Sequence, residues 1–286
     1  MQPIEFESFY LIESSQVFQS NGRVLGRYRG LDANTGRMVV RRYKKAPILE
    51  AVLEFRWEPK RGIDELERVF ALPAYREFEK PKERFQITAS LSVESEKFKH
   101  DREPLGFEAA LRDGSQRVIL EGDKFVFIQS APYESWDDFS SHALTRLKPT
   151  VDQLDVSEFS RVGVRFVNRI DAPRESERGI ETDDYITVHF DGPRRDKGVT
   201  SEFQMRVVKP TEKEGISYAL TVGTAVSPLP DHLGIFLDID VFTTVSVPVI
   251  GEALEGRLDE LRGEKNDIFE ACIKDRAREL FGGIKE

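Results

Sequence analysis

Cysteine is nearly missing from this chain of 286 residues, where Cys272 is the single one. That excludes an intramolecular disulfide and any cysteine-paired zinc site, and it fits a reducing compartment. Histidine is almost as scarce: His100, His142, His189 and His232 stand far apart, with no HxxxH spacing to hold a metal. No apolar run approaches the roughly 18 residues that span a bilayer, so no membrane association is expected. The opening MQPIEFESFY places acids where a secretory leader would be basic. The expectation is a cytoplasmic protein. A GxSxG elbow is absent, and Gly22, Gly26 and Gly30 recur without the Gly-Lys-Ser/Thr that completes a phosphate-binding loop. Nothing in the sequence calls for a cofactor.

What is present is charge and phenylalanine. Charged residues make up 33% and hydrophobic ones 39%, and twenty Phe point to a core filled by aromatic bulk. The net charge of −9 argues against general nucleic-acid binding, which needs clustered Lys and Arg to neutralise phosphates. The balance is uneven, because basic residues outnumber acids two to one in residues 1–45 and acids dominate the remainder. Two short basic clusters, Arg41-Arg-Tyr-Lys-Lys45 and Arg194-Arg195-Asp-Lys197, read as solvated loops on an acidic protein.

Residues 1–45 lack strong periodicity. Asn21-Gly22 and Asp32–Gly36 are turn signals, so a small hairpin through Val24–Tyr28 and Met38–Tyr43 is one reading. A flexible extension is another, and a third takes Met38 as the true start. From Ala46 the pattern sharpens. Leu49, Ala51, Leu53, Phe55 and Trp57 alternate with Glu50, Val52, Glu54, Arg56 and Glu58, the period of a strand. Phe85, Ile87, Ala89 and Leu91 alternate with polar neighbours in the same way. Further strands are expected at Phe107–Leu111, Gln116–Leu120, Lys124–Gln129, Arg161–Ile170, Tyr185–Phe190, Ser201–Val208, Ile216–Val226 and Leu233–Val245. Helices are expected at Ile63–Leu72, stopped by Pro73, and from Ser135, where Asp138 completes a variant capping box. A long amphipathic region, Glu252–Phe281, closes the chain, with Gly263 dividing or bending it.

The pattern describes an α+β fold, a mainly antiparallel sheet in two halves, each closed by a helix. The organisation expected is an extension at 1–45, a first half at 46–155 and a second half at 156–286.

Several segments carry a resemblance: Ala46-Pro-Ile-Leu-Glu-Ala-Val-Leu-Glu-Phe-Arg56, Tyr133-Glu-Ser-Trp136, Arg161-Val-Gly-Val-Arg-Phe-Val-Asn-Arg169, Leu237-Asp-Ile-Asp240 and Lys265-Asn-Asp-Ile-Phe269. In this order they resemble a sporadically distributed family of prokaryotic proteins that open on a Pro-Ile-x-Glu-Ala strand. The likeness covers residues 46–286, and the 45 residues before it depart from the family pattern. It implies no reaction, cofactor or catalytic residues.

Three constellations could carry chemistry. Asp238 and Asp240 lie two apart on a strand and share a face, as carboxylates that hold a divalent cation must. Val222-Gly223-Thr224 lies upstream but inside a strand rather than at a helix start. Arg161, Arg165 and Arg169 share one face of their strand, and Glu50 and Glu54 line the polar face of another. Curled inward, these faces would form a charged tunnel able to grip a polyphosphate. Uncurled, they are a solvated sheet face laced by ordinary cross-strand ion pairs. Tyr133 and Trp136 stand at a strand-to-helix corner, where they anchor the helix or form an aromatic contact patch.

The leading expectation is a non-enzymatic module that binds a protein partner or itself as a homo-oligomer. The alternative is a metal-dependent phosphate-handling enzyme using Asp238 and Asp240, with Glu50, Glu54, Arg165 and Arg169 binding substrate.

Overall fold

A computed structural model describes residues 26–31, 38–92, 97–174, 182–188 and 202–282, with side chains described at 43–87, 102–174, 182–188 and 202–282. Asn21-Gly22, Asp32–Gly36 and the Arg194–Lys197 cluster lie outside them.

The chain enters through β1 (Gly26–Leu31) and β2 (Met38–Tyr43), which pair as an antiparallel hairpin. Then follow β3 (Ile48–Arg56), α1 (Ile63–Val69), β4 (Lys82–Ser92), β5 (Lys97–Ala110), β6 (Gln116–Glu121), β7 (Lys124–Ser130) and α2 (Trp136–Gln153). The remainder comprises β8 (Glu158–Phe159), β9 (Arg161–Pro173), β10 (Gln204–Pro210), β11 (Ile216–Val226), β12 (His232–Thr243), β13 (Val247–Pro248), α3 (Glu252–Cys272) and α4 (Asp275–Leu280). Nine strands form one antiparallel sheet in the order β10-β11-β12-β9-β3-β7-β6-β5-β4. The architecture is α+β with few helices. The two segments expected as halves share this single sheet, because β3 pairs with β9.

Period-two alternation decides which face is buried. Ala51, Leu53 and Phe55 of β3 and Val162, Val164, Phe166 and Ile170 of β9 point into one continuous core. The helices cover this face, α2 against β3 and β7 and α3 against β9 and β12. Ser135 caps α2, its hydroxyl oxygen accepting from the Asp138 N–H at 3.1 Å, as the sequence suggests. Tyr133 and Trp136 are buried and pack edge-to-face on Phe139, so they anchor α2 to the sheet.

Three expectations change. α1 ends at Val69 and a separate 3-10 turn covers Pro73–Tyr75, since the bond-donating N–H that would extend the helix is missing at Pro73. α3 runs without a break through Gly263, its packed stripe outweighing the low helix propensity of one glycine. In place of the strand expected at Tyr185–Phe190, the described residues 185–188 follow a 3-10 turn at Thr182–Asp184 and make one bridge, from Ile186 to Ile273; residues 189–190 lie outside the described ones.

The sheet's far end departs from a plain meander. β5 pairs with β6 over Gly106–Ala110 only, while the β4–β5 pairing continues outward from Phe85 and Pro104 to Ser92 and Lys97. The departure is marked by a register shift between Arg84 and Phe85. Gly106 sits at the crossing, where a Cβ would lie 2.0 Å from the Leu120 carbonyl oxygen. Among the described residues, the outer part of this ribbon has no third strand.

Candidate functional site: a charged sheet face

The sheet face turned away from the helices carries the polar partners of the alternation. In register, Asp240 lies opposite Arg165, Arg165 opposite Val52, and Glu54 opposite Gly163. Opposed residues on neighbouring strands share a face, so β12, β9 and β3 bring Asp238, Asp240, Arg161, Arg165, Glu50 and Glu54 together. The two carboxylates of β12 do point the same way, and each is engaged by an arginine of β9. Arg165 forks onto Asp238, with Nε donating to Oδ1 at 2.8 Å and Nη2 to Oδ2 at 2.7 Å. Arg161 donates through Nη2 to Asp240 Oδ2 at 2.8 Å and through Nη1 to Glu54 Oε1. Gly163 makes that reach possible, because a Cβ there would meet the Arg161 guanidinium at 2.6 Å.

The network extends across the sheet. Arg117 of β6 donates to Glu50 Oε1 at 2.7 Å, and Arg84 of β4 donates to Glu108 Oε2 at 2.8 Å and to Glu121 Oε1 at 3.2 Å. A small apolar island of Val52, Val126 and Ile128 fills the space between these chains. Arg169 stands apart and donates to Asp171 at 2.9 Å. It joins neither Asp238 nor Asp240 in the described contacts.

Burial sets the electrostatics. The Asp238 side chain is only 9% exposed while its partner Arg165 is 48% exposed, so the acid depends on the arginine more than the reverse. Burial raises Asp240 above its ordinary value against the pull of Arg161, and the nearby Glu54 charge adds to the rise. Burial likewise raises Glu50, and Arg117 and Arg165 only partly offset it. Glu54 goes the other way: burial opposes its charge, yet Arg161 and Arg56 outweigh that and hold it below the usual carboxylate range.

Chemically, acids and guanidinium groups on this face are already matched to one another. A divalent ion at Asp238 and Asp240 would have to displace Arg165 and Arg161. Among the described residues no group of three His, Cys, Asp or Glu side chains stands as a metal-ligand set. Gly223 lies within β11, where a Cβ would press on the Phe203 carbonyl oxygen at 2.6 Å. Cys272 is buried, and burial pushes its thiol up to about 12, as befits a core residue.

A second polar group lies on the helix side, outside the three constellations that the sequence points to for chemistry. Lys265 and Asn266 of α3 are buried, with the Lys265 ammonium 3.7 Å from the centre of the Phe166 ring. Burial drives Lys265 far below its ordinary value. Asn168 of β9 is buried too, its amide donating to the Phe166 and Leu237 carbonyls while its Oδ1 has no partner among the described residues. Tyr43 of β2 donates to Glu270 Oε1 at 2.7 Å, tying the hairpin to α3. The sequence does hold a signal for this group: Lys265 occupies the helical stripe of Leu254, Leu258, Leu261, Phe269 and Cys272, where the spacing calls for an apolar residue.

No family model matches the chain, and no curated protein matches it.

Proposed function

We propose that this chain is a non-enzymatic, cytoplasmic interaction module that binds a protein partner or a second copy of itself. The observation that supports it best is the two-stranded arm of β4 and outer β5. A ribbon with neither a third strand nor a covering helix among the described residues is marginal alone and suits a contact element. Ile87, on this arm, is 61% exposed. α3 is a weaker contact element than the arm, because it lies between the sheet and β1. The internally matched charges on the sheet face leave that surface little reason to hold a free anion or cation.

The alternative phosphate-handling reading keeps one supporting feature, the half-exposed Arg165 guanidinium beside Asp238 and Asp240. It requires both arginines to release their carboxylates. We also read the body as two halves of like connectivity. The first strand β3 pairs with the last strand β7 before α2, and β9 pairs with β12 before α3. The family likeness rests on the quoted segments alone.

The test is affinity capture from cells of origin, using the full chain and a variant in which Asn-Gly joins Phe85 to Pro104. The reading expects one stoichiometric species retained by the full chain and lost by the shortened one. Equal retention by both chains would overturn it.

A further inference from the structure

The two edge strands of the sheet are guarded differently. β10 carries Arg206 and Lys209 and ends on Pro210, the kinds of residue that discourage addition of another strand. β4 has no such guard from Phe85 to Ser92: the eight residues Phe-Gln-Ile-Thr-Ala-Ser-Leu-Ser include no charge and no proline. Among the described residues β4 pairs with β5 alone, so the other edge of β4 presents a row of backbone donors and acceptors. Among the described residues β5 leaves β6 at Gly106, so this stretch of β4 lies beyond the part of the ribbon that β6 pairs.

We propose that this edge is a self-association strand, occupied by β4 of a second copy running antiparallel across a two-fold axis at Thr88. The proposal rests on the interaction reading and names its partner. Self-complementarity selects the occupant. An axis at Thr88 sets Phe85 opposite the second copy's Leu91, Ile87 opposite Ala89, Gln86 opposite Ser90 and Arg84 opposite Ser92. Apolar positions meet apolar ones, polar meet polar, and no charge meets another charge. Moving the axis half a residue would oppose apolar to polar positions throughout. Moving it to Ile87 would set Glu83 against Leu91. A two-fold pairing uses the same strand from both copies, so assembly closes at two. It also satisfies the exposed backbone row without any change elsewhere in the fold.

Sedimentation equilibrium of the full chain across the micromolar range tests this. The wild type is expected to pass from monomer to dimer. Ile87→Lys, a change at an exposed position, is expected to raise the midpoint by about tenfold or more, while Val208→Lys on the outer strand β10 leaves it unchanged. Thr88→Cys should form a covalent dimer on mild oxidation, and Thr145→Cys on α2 should not. A dimer that keeps its midpoint with Ile87→Lys and shows no Thr88→Cys cross-link would overturn the proposal. A monomeric wild type overturns it as well. If that monomer still captures another protein through the arm, the interaction reading survives; if capture also fails, both fall.

Discussion

At the scale of single residues, the charged face behaves as a set of locks whose strength depends on which partner is buried. Asp238 is the buried member of its pair, and each of its carboxylate oxygens accepts a hydrogen bond from Arg165. Arg165→Met should therefore cost about 1–3 kcal/mol in urea unfolding, the penalty of an uncompensated carboxylate discounted for the exposure of the arginine. Adding Asp238→Leu should recover most of that loss. A cost of only a few tenths for Arg165→Met would mean that the pair is an ordinary surface contact. Asp240 offers a test in pH. Its carboxyl is raised in the folded state, so its stabilising contribution is full below the unfolded value of 3.8 and declines as pH climbs through the raised folded value. Glu54, held low, works in the opposite sense, losing its contribution as pH falls through its folded value. Asp240→Asn removes only the first effect. Its cost should be largest at the acidic end and shrink toward neutrality, and a cost that grows toward neutrality would contradict the assignment.

At the scale of elements, Gly106 is where the arm parts from the sheet, and the lack of a side chain there leaves room for the β6 backbone. Gly106→Ala puts a methyl group against a carbonyl that cannot swing away, so a loss of about 3 kcal/mol or more is expected by thermal or urea unfolding. Wild-type stability in that variant would show that the crossing has room for a side chain. The same elements show what is legible in the residues alone. Alternation in β3 and β9 marks their core faces, since burial of alternate side chains leaves a period-two trace in residue type. The face-sharing of Asp238 with Asp240, and of Arg161 with Arg165, follows from the same period. Their pairing does not, because register between strands far apart in sequence is set by the whole sheet. The sequence pattern starts β5 only at Phe107, since its outer stretch Lys97–Pro104 is mostly charged and shows no alternation of apolar and polar residues. Lys265 is hard to see because an apolar stripe tolerates one long cation over an aromatic ring, and its neighbours carry the pattern.

At the scale of the whole molecule, one sheet carries helices on one face and a charge-matched lattice on the other, with a hairpin laid beside α3. A chain beginning at Met38 loses β1 but keeps Tyr43 and its bond to Glu270. Calorimetry should show it still melting cooperatively, at a lower temperature than the full chain, because α3 retains its contacts with β9 and β12. Loss of a cooperative transition would make β1 an integral part of the core. As proposed, this molecule works by contact, with its acids and arginines matched to one another rather than to phosphate or metal. Thermal shift with Mg²⁺, Mn²⁺, nucleotides and tripolyphosphate tests it most directly. A ligand at about 100 times its dissociation constant would add roughly 2.7 kcal/mol of stability, an easily seen rise in melting temperature. No rise is expected with any of them. A rise that disappears in Asp238→Asn would contradict it and restore the phosphate-handling reading.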